Sequence, residues 1–124
     1  MSVLNIMIKK NIITNAPKPV GNYPHSVEIN GILYLSGIGP RSPIDNVIPG
    51  NKYNEDGSVI SYNIEQQTHS VFDNIKIILE ESNSSWENLI DITVFLTDMK
   101  NDFKRFNEIF KRLSRFFINY FPII

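Results

Sequence analysis

The residues best placed to do chemistry are a serine and a glycine at the end of an apolar run. Ser36 and Gly37 follow the run Ile32-Leu33-Tyr34-Leu35. The β-branched and aromatic members of this run predict a strand that is buried on at least one face. A small hydroxyl residue followed by glycine leaves the backbone at a strand end open to the close approach of a ligand. We therefore predict that Ser36 and Gly37 form the floor of a site.

Three further side chains near this strand end are candidates for binding a ligand. Tyr23 lies in a proline-rich loop, and amphipathic aromatic residues on such loops often line pockets. Arg41 lies just past Gly37, where its guanidinium either anchors an anion or belongs to an ordinary surface loop. His25 either binds substrate or is a packed, hydrogen-bonded residue of a strand face.

Composition excludes several classes of protein. The 124 residues contain no cysteine, which removes disulfides, thiol catalysis and zinc-thiolate sites, and the spacing of His25 and His69 suggests no metal site. A net charge of -1 gives no basic footprint for nucleic acid and no support for a membrane-surface helix. No apolar run reaches the ~18 residues of a membrane span. The short apolar patch near the N-terminus precedes its lysines, which argues against a signal peptide. We predict a soluble cytoplasmic protein without a metal.

A β-hairpin must position the candidate site. Residues 25–29 alternate, and Asn30-Gly31 favours a type I′ turn because both central residues must adopt positive φ. This turn predicts pairing with residues 32–36. The β-branched run Asn11-Ile12-Ile13-Thr14 predicts an edge strand.

Two helices and a further strand follow a long loop. Residues 38–58 are rich in Pro, Gly, Asn and Asp, and such long loops are often lids or binding loops. Asn63 is a good N-cap for a helix to about Glu81, with Gln66 placed as in a capping box. The β-branched run 90–96 predicts a central strand.

The second predicted helix runs from Asn101 or Asp102 to about Phe116. Its stripe of Phe103, Phe106 and Phe110 is interpreted as core, and Asn107 is either a cleft residue or a buried polar group with a backbone partner. These elements predict a single α+β domain with two helices on one face of a mixed sheet.

The sequence resembles the RidA (YjgF/UK114) family of enamine and imine deaminases over roughly residues 11–122. The matching pieces are Ala16-Pro17 with Gly21-Asn22-Tyr23, Asn30-Gly31 with Tyr34-Leu35-Ser36-Gly37, Asn74-Ile75, and Thr93-Val94-Phe95-Leu96-Thr97-Asp98-Met99 with Asp102-Phe103 and Asn107. Within the family, the pieces most similar to the 2-aminomuconate deaminase branch are Tyr23-Pro24-His25, Ser36-Gly37 with Arg41 and Pro43, and Asn63-Ile64-Glu65 with Gln67-Thr68.

The resemblance implies a chorismate-mutase-like fold, assembled as a homotrimer with active sites in clefts between subunits. The implied reaction is hydrolysis of a reactive enamine or imine to a keto acid and ammonia, without a metal or organic cofactor. It places Tyr23 and Asn107 in the cleft, and it makes Ser36 and Gly37 hydroxyl and backbone contacts to substrate or water.

The sequence departs from the family at its C-terminus. The family's carboxylate-binding Arg lies in a Pro-Ala-Arg or Pro-Thr-Arg motif after the second helix, and here Ile123-Ile124 follow the matching Pro122. The family's last two strands are then absent. The unpatterned tail from about Leu113 is interpreted as a frameshifted or prematurely stopped reading of a longer gene.

This departure from the family leaves three interpretations of the chain. The chain is a deaminase whose anchor is Arg41 or a residue of a neighbouring subunit, a non-catalytic ligand-binding or interaction protein, or an inactive truncated family member.

Overall fold

A computed structural model describes residues 7–116, and these residues form five short strands and two helices. The strands are β1 (Ile8–Asn11), β2 (Ser26–Ile29), β3 (Ile32–Leu35), β4 (Lys52–Tyr53) and β5 (Val59–Ser61), and the helices are α1 (Ile64–Glu81) and α2 (Met99–Leu113). Short 3-10 turns lie at Trp86–Asn88 and Ser114–Phe116. The interpretation of the apolar tail concerns mainly residues 117–124, which lie outside the described residues.

The predicted hairpin is confirmed. Strands β2 and β3 pair antiparallel with Ser26 opposite Leu35, and β1 pairs antiparallel with the other side of β2. Asn30 and Gly31 adopt φ values of 52° and 79°, so the turn has the two positive φ angles of type I′. Ser36 and Gly37 therefore lie directly after the second strand of the hairpin.

The first strand begins and ends earlier than the predicted range of residues 11–14. The main-chain N–H of His25 donates to the carbonyl of Asn11 at 3.0 Å, which is the last rung of the β1–β2 ladder. The next available N–H, that of Ile13, donates to the imidazole Nδ1 of His25 at 2.9 Å instead of to a strand. This side-chain acceptor ends the strand, and Ile13 turns into the core.

The C-terminal part of helix α1 packs against one face of the three-stranded sheet. Its N-cap is Asn63, whose side chain accepts the N–H of Gln66 at 3.0 Å, as the sequence predicts. At the other end the hydroxyls of Ser82 and Ser26 lie 2.7 Å apart, which joins the helix end to β2. A small apolar cluster around Ile13 and Ile78 fills the space between them.

Helix α2 packs on α1 through aromatic side chains. Phe72 of α1 and Phe106 of α2 are buried, and the rings of Phe72 and Trp86 stack with centroids 5.8 Å apart. The interpretation of Phe103 as core is wrong, because 49% of its surface is exposed. The buried positions of α2 are Asp102, Phe106 and Ile109, and Phe103 is one residue, about 100°, away from the centre of that stripe.

Two polar pairs join the starts of the two helices. The hydroxyl of Tyr62 donates to the buried carboxylate of Asp102 at 2.7 Å, and Arg105 pairs with Glu65. Because the hydrogen bond to Asp102 favours the protonated phenol, it raises the pKa of Tyr62 from 10.0 to about 12.

This raised pKa predicts a loss of stability at alkaline pH. The stabilisation from the Tyr62–Asp102 bond is complete below pH 10 and is lost as the pH rises through about 12. We expect Tyr62→Phe to be less stable near neutrality, because Asp102 loses its partner, but to lack the decline between pH 10 and 12. Urea unfolding at a series of pH values measures this, with Tyr53→Phe as the control. An equal alkaline decline in Tyr62→Phe would contradict the assignment.

The run 90–96 is not part of a sheet, contrary to the predicted central strand. It is extended, Ile92 and Leu96 pack on the aromatic cluster, and Phe95 is 90% exposed. A groove of about 1270 Å³ separates this segment from β3, and the floor of the groove includes Ile75 and Leu79 of α1. A β-branched run cannot pair across such a gap, so in residues 7–116 the strand pairs are all antiparallel and the predicted mixed sheet is absent.

The predicted α+β class, with a sheet and two packed helices, is confirmed. Strand β4 lies within the predicted long loop 38–58 and pairs with β5 in a second hairpin. The turn of this hairpin contains Asp56-Gly57, and Gly57 has a φ of 84°. The part between β3 and β4 remains loop and carries Arg41 past the end of β3.

Candidate functional site

A small cavity lies where the end of β3, the loop between β1 and β2, and α1 meet. Its volume is about 40 Å³, enough for about three waters or a ligand of a few heavy atoms. Its lining consists of Pro17, Pro19, Tyr23, His25, Ser36, Gly37, Ile38, Gly39, Arg41, Asn74 and Ile78. Five of the six residues predicted for the site therefore line one cavity.

Ser36 and Gly37, at the end of β3, lie at the floor of the cavity, and their contact with a ligand stays a prediction. The hydroxyl of Ser36 donates its hydrogen bond to the carbonyl of Pro24 at 2.7 Å. The lone pairs of the same oxygen can still accept a hydrogen bond from a ligand or a water. A Cβ placed on Gly37 would meet nothing within 4 Å in residues 7–116, so the space above this glycine is open. Hydroxyl lone pairs beside open backbone can orient a water or a small polar ligand.

Arg41 reaches the cavity from the loop that follows β3. Its Nη1 donates to Oδ1 of Asn46 at 2.5 Å and its Nη2 donates to the carbonyl of Lys18 at 2.7 Å. A guanidinium has five N–H donors, so these two bonds hold the plane of the group and leave others for an anion. Arg41 is half-buried and, among residues 7–116, is the one lysine or arginine in the cavity lining.

His25 lines the cavity with both ring nitrogens engaged. Nδ1 accepts the N–H of Ile13 at 2.9 Å, and Nε2 lies 2.9 Å from the carbonyl of Pro17. A carbonyl only accepts, so Nε2 carries the proton in this arrangement. The ring is buried and holds the loop after β1 against the hairpin. In the single chain this is a positioning arrangement, and direct substrate binding by His25 stays a prediction.

Tyr23 and Asn107 lie apart from one another. Tyr23 lines the cavity and is 41% exposed, and its ring lies against Gly21, where a Cβ would come within 2.8 Å of it. Asn107 is exposed on α2 and does not line the cavity. Its predicted place in a cleft therefore depends on a neighbouring subunit and stays a prediction.

Asn74 also lines the cavity, and its side-chain chemistry did not predict this. It is 1% exposed, and its Nδ2 donates to the carbonyls of Gly39 and Arg41 at 3.0 and 2.8 Å. The available signal was its spacing, because position 74 falls three residues after Val71 and four before Ile78 on the inner side of α1. An amide at such a position needs a polar partner.

Residues 7–116 contain neither a membrane span nor a metal-binding cluster. No helix in this part of the chain is long and apolar enough to cross a membrane. The same residues contain no group of three or more His, Asp or Glu side chains that could hold a metal ion.

The fold and the cavity define an α+β protein of the chorismate-mutase-like type, with a polar pocket at a strand end. Residues 13–117 match the family model described as Endoribonuclease L-PSP. A RutC family protein of Saccharolobus solfataricus is 40% identical over 113 residues, which covers 90% of this chain and 78% of that relative. The chain belongs to this family, the RidA/YjgF/L-PSP family.

Solved structures agree with this assignment. The crystal structure of a yeast protein, YEO7, superposes with a TM-score of 0.70 at 28% identity over 94% of this chain and 80% of that one. Escherichia coli TdcF, solved with bound serine, superposes with a TM-score of 0.72 at 27% identity over 86% of this chain and 74% of its own.

Proposed function

We propose that this protein hydrolyses a reactive enamine or imine carboxylate to a keto acid and ammonia. The observation that carries the proposal is the meeting of the Arg41 guanidinium with the Ser36-Gly37 floor in one small cavity. Membership of the RidA family supports the reaction class. The chain's net charge of -1 favours a small substrate over RNA.

Hydrolysis of an imine carboxylate requires only a few functional groups from the protein. A protonated imine carbon is already electrophilic, so the site must hold the substrate carboxylate, place a water and allow one proton to move. The free N–H groups of Arg41 suit a carboxylate. The Ser36 lone pairs can accept a hydrogen bond from the attacking water. Water adds to the carbon, a proton passes to nitrogen, and the carbinolamine collapses to the keto acid and ammonia.

The size of the cavity favours a substrate of the 2-aminoacrylate or 2-iminopropanoate type. About 40 Å³ suits a three-carbon acid, and the serine bound in TdcF is a ligand of this size. A 2-aminomuconate type of substrate is the larger alternative, which the similarities around Tyr23 and Arg41 suggested. It requires a site enlarged at a subunit boundary.

Assembly into a trimer is part of the proposal. Residues directly opposite one another on antiparallel strands share a face. Ile8, Ile29 and Ile32 therefore form one row, and Lys10, Val27 and Tyr34 form the next, on the face opposite the one through which Ser26 contacts the end of α1. Ile8, Ile32 and Tyr34 are between 45% and 58% exposed, and such an apolar patch marks an interaction surface. A cytoplasmic location belongs to the same proposal.

A trapping assay tests the function. An amino-acid oxidase generates 2-iminopropanoate in the presence of semicarbazide, and a deaminase slows semicarbazone formation because it consumes the imine first. We expect a slower rate with the purified chain, and sedimentation measured in parallel gives its assembly state. An unchanged rate with folded, ligand-binding protein would favour the non-catalytic binding function. An unchanged rate with aggregated protein would favour the inactive family member.

A further inference from the structure

The orientation of the Asn74 side chain is fixed by its partners. Its Nδ2 lies 3.0 Å from the carbonyl oxygen of Gly39 and 2.8 Å from that of Arg41. Carbonyl oxygens only accept hydrogen bonds, so the amide nitrogen must face them and both of its hydrogens are used. The remaining polar atom of the side chain is the amide oxygen Oδ1, which can only accept.

This oxygen has access to the cavity. Among residues 7–116, no fully buried side-chain nitrogen or oxygen lacks a hydrogen-bond partner. The side-chain bonds of Asn74 involve Nδ2 alone, so Oδ1 must touch open space. Asn74 is 99% buried, and the space that it lines is the cavity of Tyr23, Ser36 and Arg41. The structure therefore presents a hydrogen-bond acceptor in the cavity.

The neighbouring polar groups make this acceptor distinctive. Both nitrogens of His25 are engaged by the main chain, and the guanidinium of Arg41 can only donate. The Ser36 oxygen lies at the floor, where the proposed water binds. The amide oxygen of Asn74 is therefore a separate acceptor for a ligand whose carboxylate lies against Arg41. Its position is fixed by the bonds of Nδ2 to the carbonyls of Gly39 and Arg41, in the loop that carries Arg41.

We propose that Oδ1 of Asn74 binds the nitrogen-bound hydrogen of the substrate and so distinguishes it from the product. This inference rests on the proposed deaminase function. A protonated imine, an enamine or an amine has an N–H donor on C2, whereas the keto acid has only a carbonyl oxygen there. The amide oxygen attracts the donor and repels the carbonyl, which favours binding of substrate and release of product.

Binding of two probes tests the inference without catalysis. Serine carries an ammonium on C2, and 3-hydroxypropanoate is the same acid without it. A charge-assisted hydrogen bond contributes about 1.5–3 kcal/mol, or about tenfold or more in affinity. We expect Asn74→Ala to weaken serine binding at least tenfold by calorimetry and 3-hydroxypropanoate binding less than threefold. Equal losses for both acids, or no loss for serine, would overturn the proposal.

Ser70→Ala is the matched control. Ser70 lies on the same helix, and its hydroxyl donates to the carbonyl of Pro40 at 2.8 Å, so it ties α1 to the same loop without lining the cavity. We expect this variant to change the affinity for each acid less than threefold. A selective tenfold loss of serine binding in Ser70→Ala would show that loop position alone accounts for the discrimination, and would overturn the role of Oδ1.

A measurement on the unmodified protein covers the case in which Asn74→Ala fails to fold. The side-chain amide signals of a 15N-labelled protein report on hydrogen bonds to Oδ1. Serine is expected to shift the Asn74 signals and 3-hydroxypropanoate to leave them unchanged, and identical responses would refute the inference. Failure of the proposed function looks different: serine is still discriminated, but the imine is not hydrolysed.

Discussion

Replacing Phe106 with alanine is expected to lower the free energy of unfolding by about 3–5 kcal/mol. Phe106 is 9% exposed and its ring lies 5.8 Å from that of Phe110 in the cluster that joins α2 to α1. Truncation removes the transfer free energy of the ring and leaves a void against Phe72, because a packed aromatic cluster relaxes only partly. Urea denaturation followed by circular dichroism gives the change.

Phe103→Ala is the control for this prediction. It removes the same side chain one turn earlier on α2, at a position that is 49% exposed. We expect a cost of less than about 1 kcal/mol, because little surface is removed from water there. Equal costs for the two variants would show that Phe103 is buried in solution, as in a subunit interface. The comparison then also reports on assembly.

The second large effect is expected on catalysis. Arg41→Ala should lower kcat/KM for 2-iminopropanoate by about 100-fold, because it removes the cationic side chain of the cavity and the charge-assisted bonds to the substrate carboxylate. Arg41→Lys should recover only part of the loss, since a lysine keeps the charge but lacks the planar pair of donors. The semicarbazide assay at several imine concentrations measures kcat/KM.

Arg112→Ala provides the comparison for charge alone. Arg112 is exposed on α2 and does not line the cavity, so its removal changes the net charge equally without touching the site. We expect its kcat/KM to stay within about twofold of the unmodified protein. A full rate in Arg41→Ala would mean that another subunit supplies the anchor, and a 100-fold loss in both variants would point to long-range charge effects.

The parts of the fold that were predictable are those that local chemistry determines. Asn30-Gly31 demands a turn with two positive φ angles, and Asn63 caps its helix in the predicted way. Ser36 and Gly37 were noticeable for the same reason, because they are consecutive residues, and both line the cavity. Their role in a site stays a prediction. Local sequence therefore predicted the hairpin and α1.

The parts that could not be predicted depend on neighbours that are remote in sequence. The run 90–96 has a high strand propensity, but a strand also requires a partner strand at hydrogen-bonding distance. The groove beside β3 keeps the run too far from β3 for such pairing. The early end of β1 depends on the ring of His25, 12 residues away from Ile13. The hydrogen bonds of Asn74 to the carbonyls of Gly39 and Arg41 likewise form only once α1 lies against that loop.

The groove between β3 and the run 90–96 also affects how the chain responds to temperature. Apolar surface that stays wet in the folded state contributes nothing to the heat-capacity increment of unfolding, which normally amounts to about 12–15 cal/mol/K per residue. With a groove of about 1270 Å³ lined by partly exposed residues such as Ile75, Val94 and Phe95, residues 7–116 of the single chain are expected to contribute a smaller increment than their number implies. Its stability curve is correspondingly flatter, and any association that dries the groove steepens it.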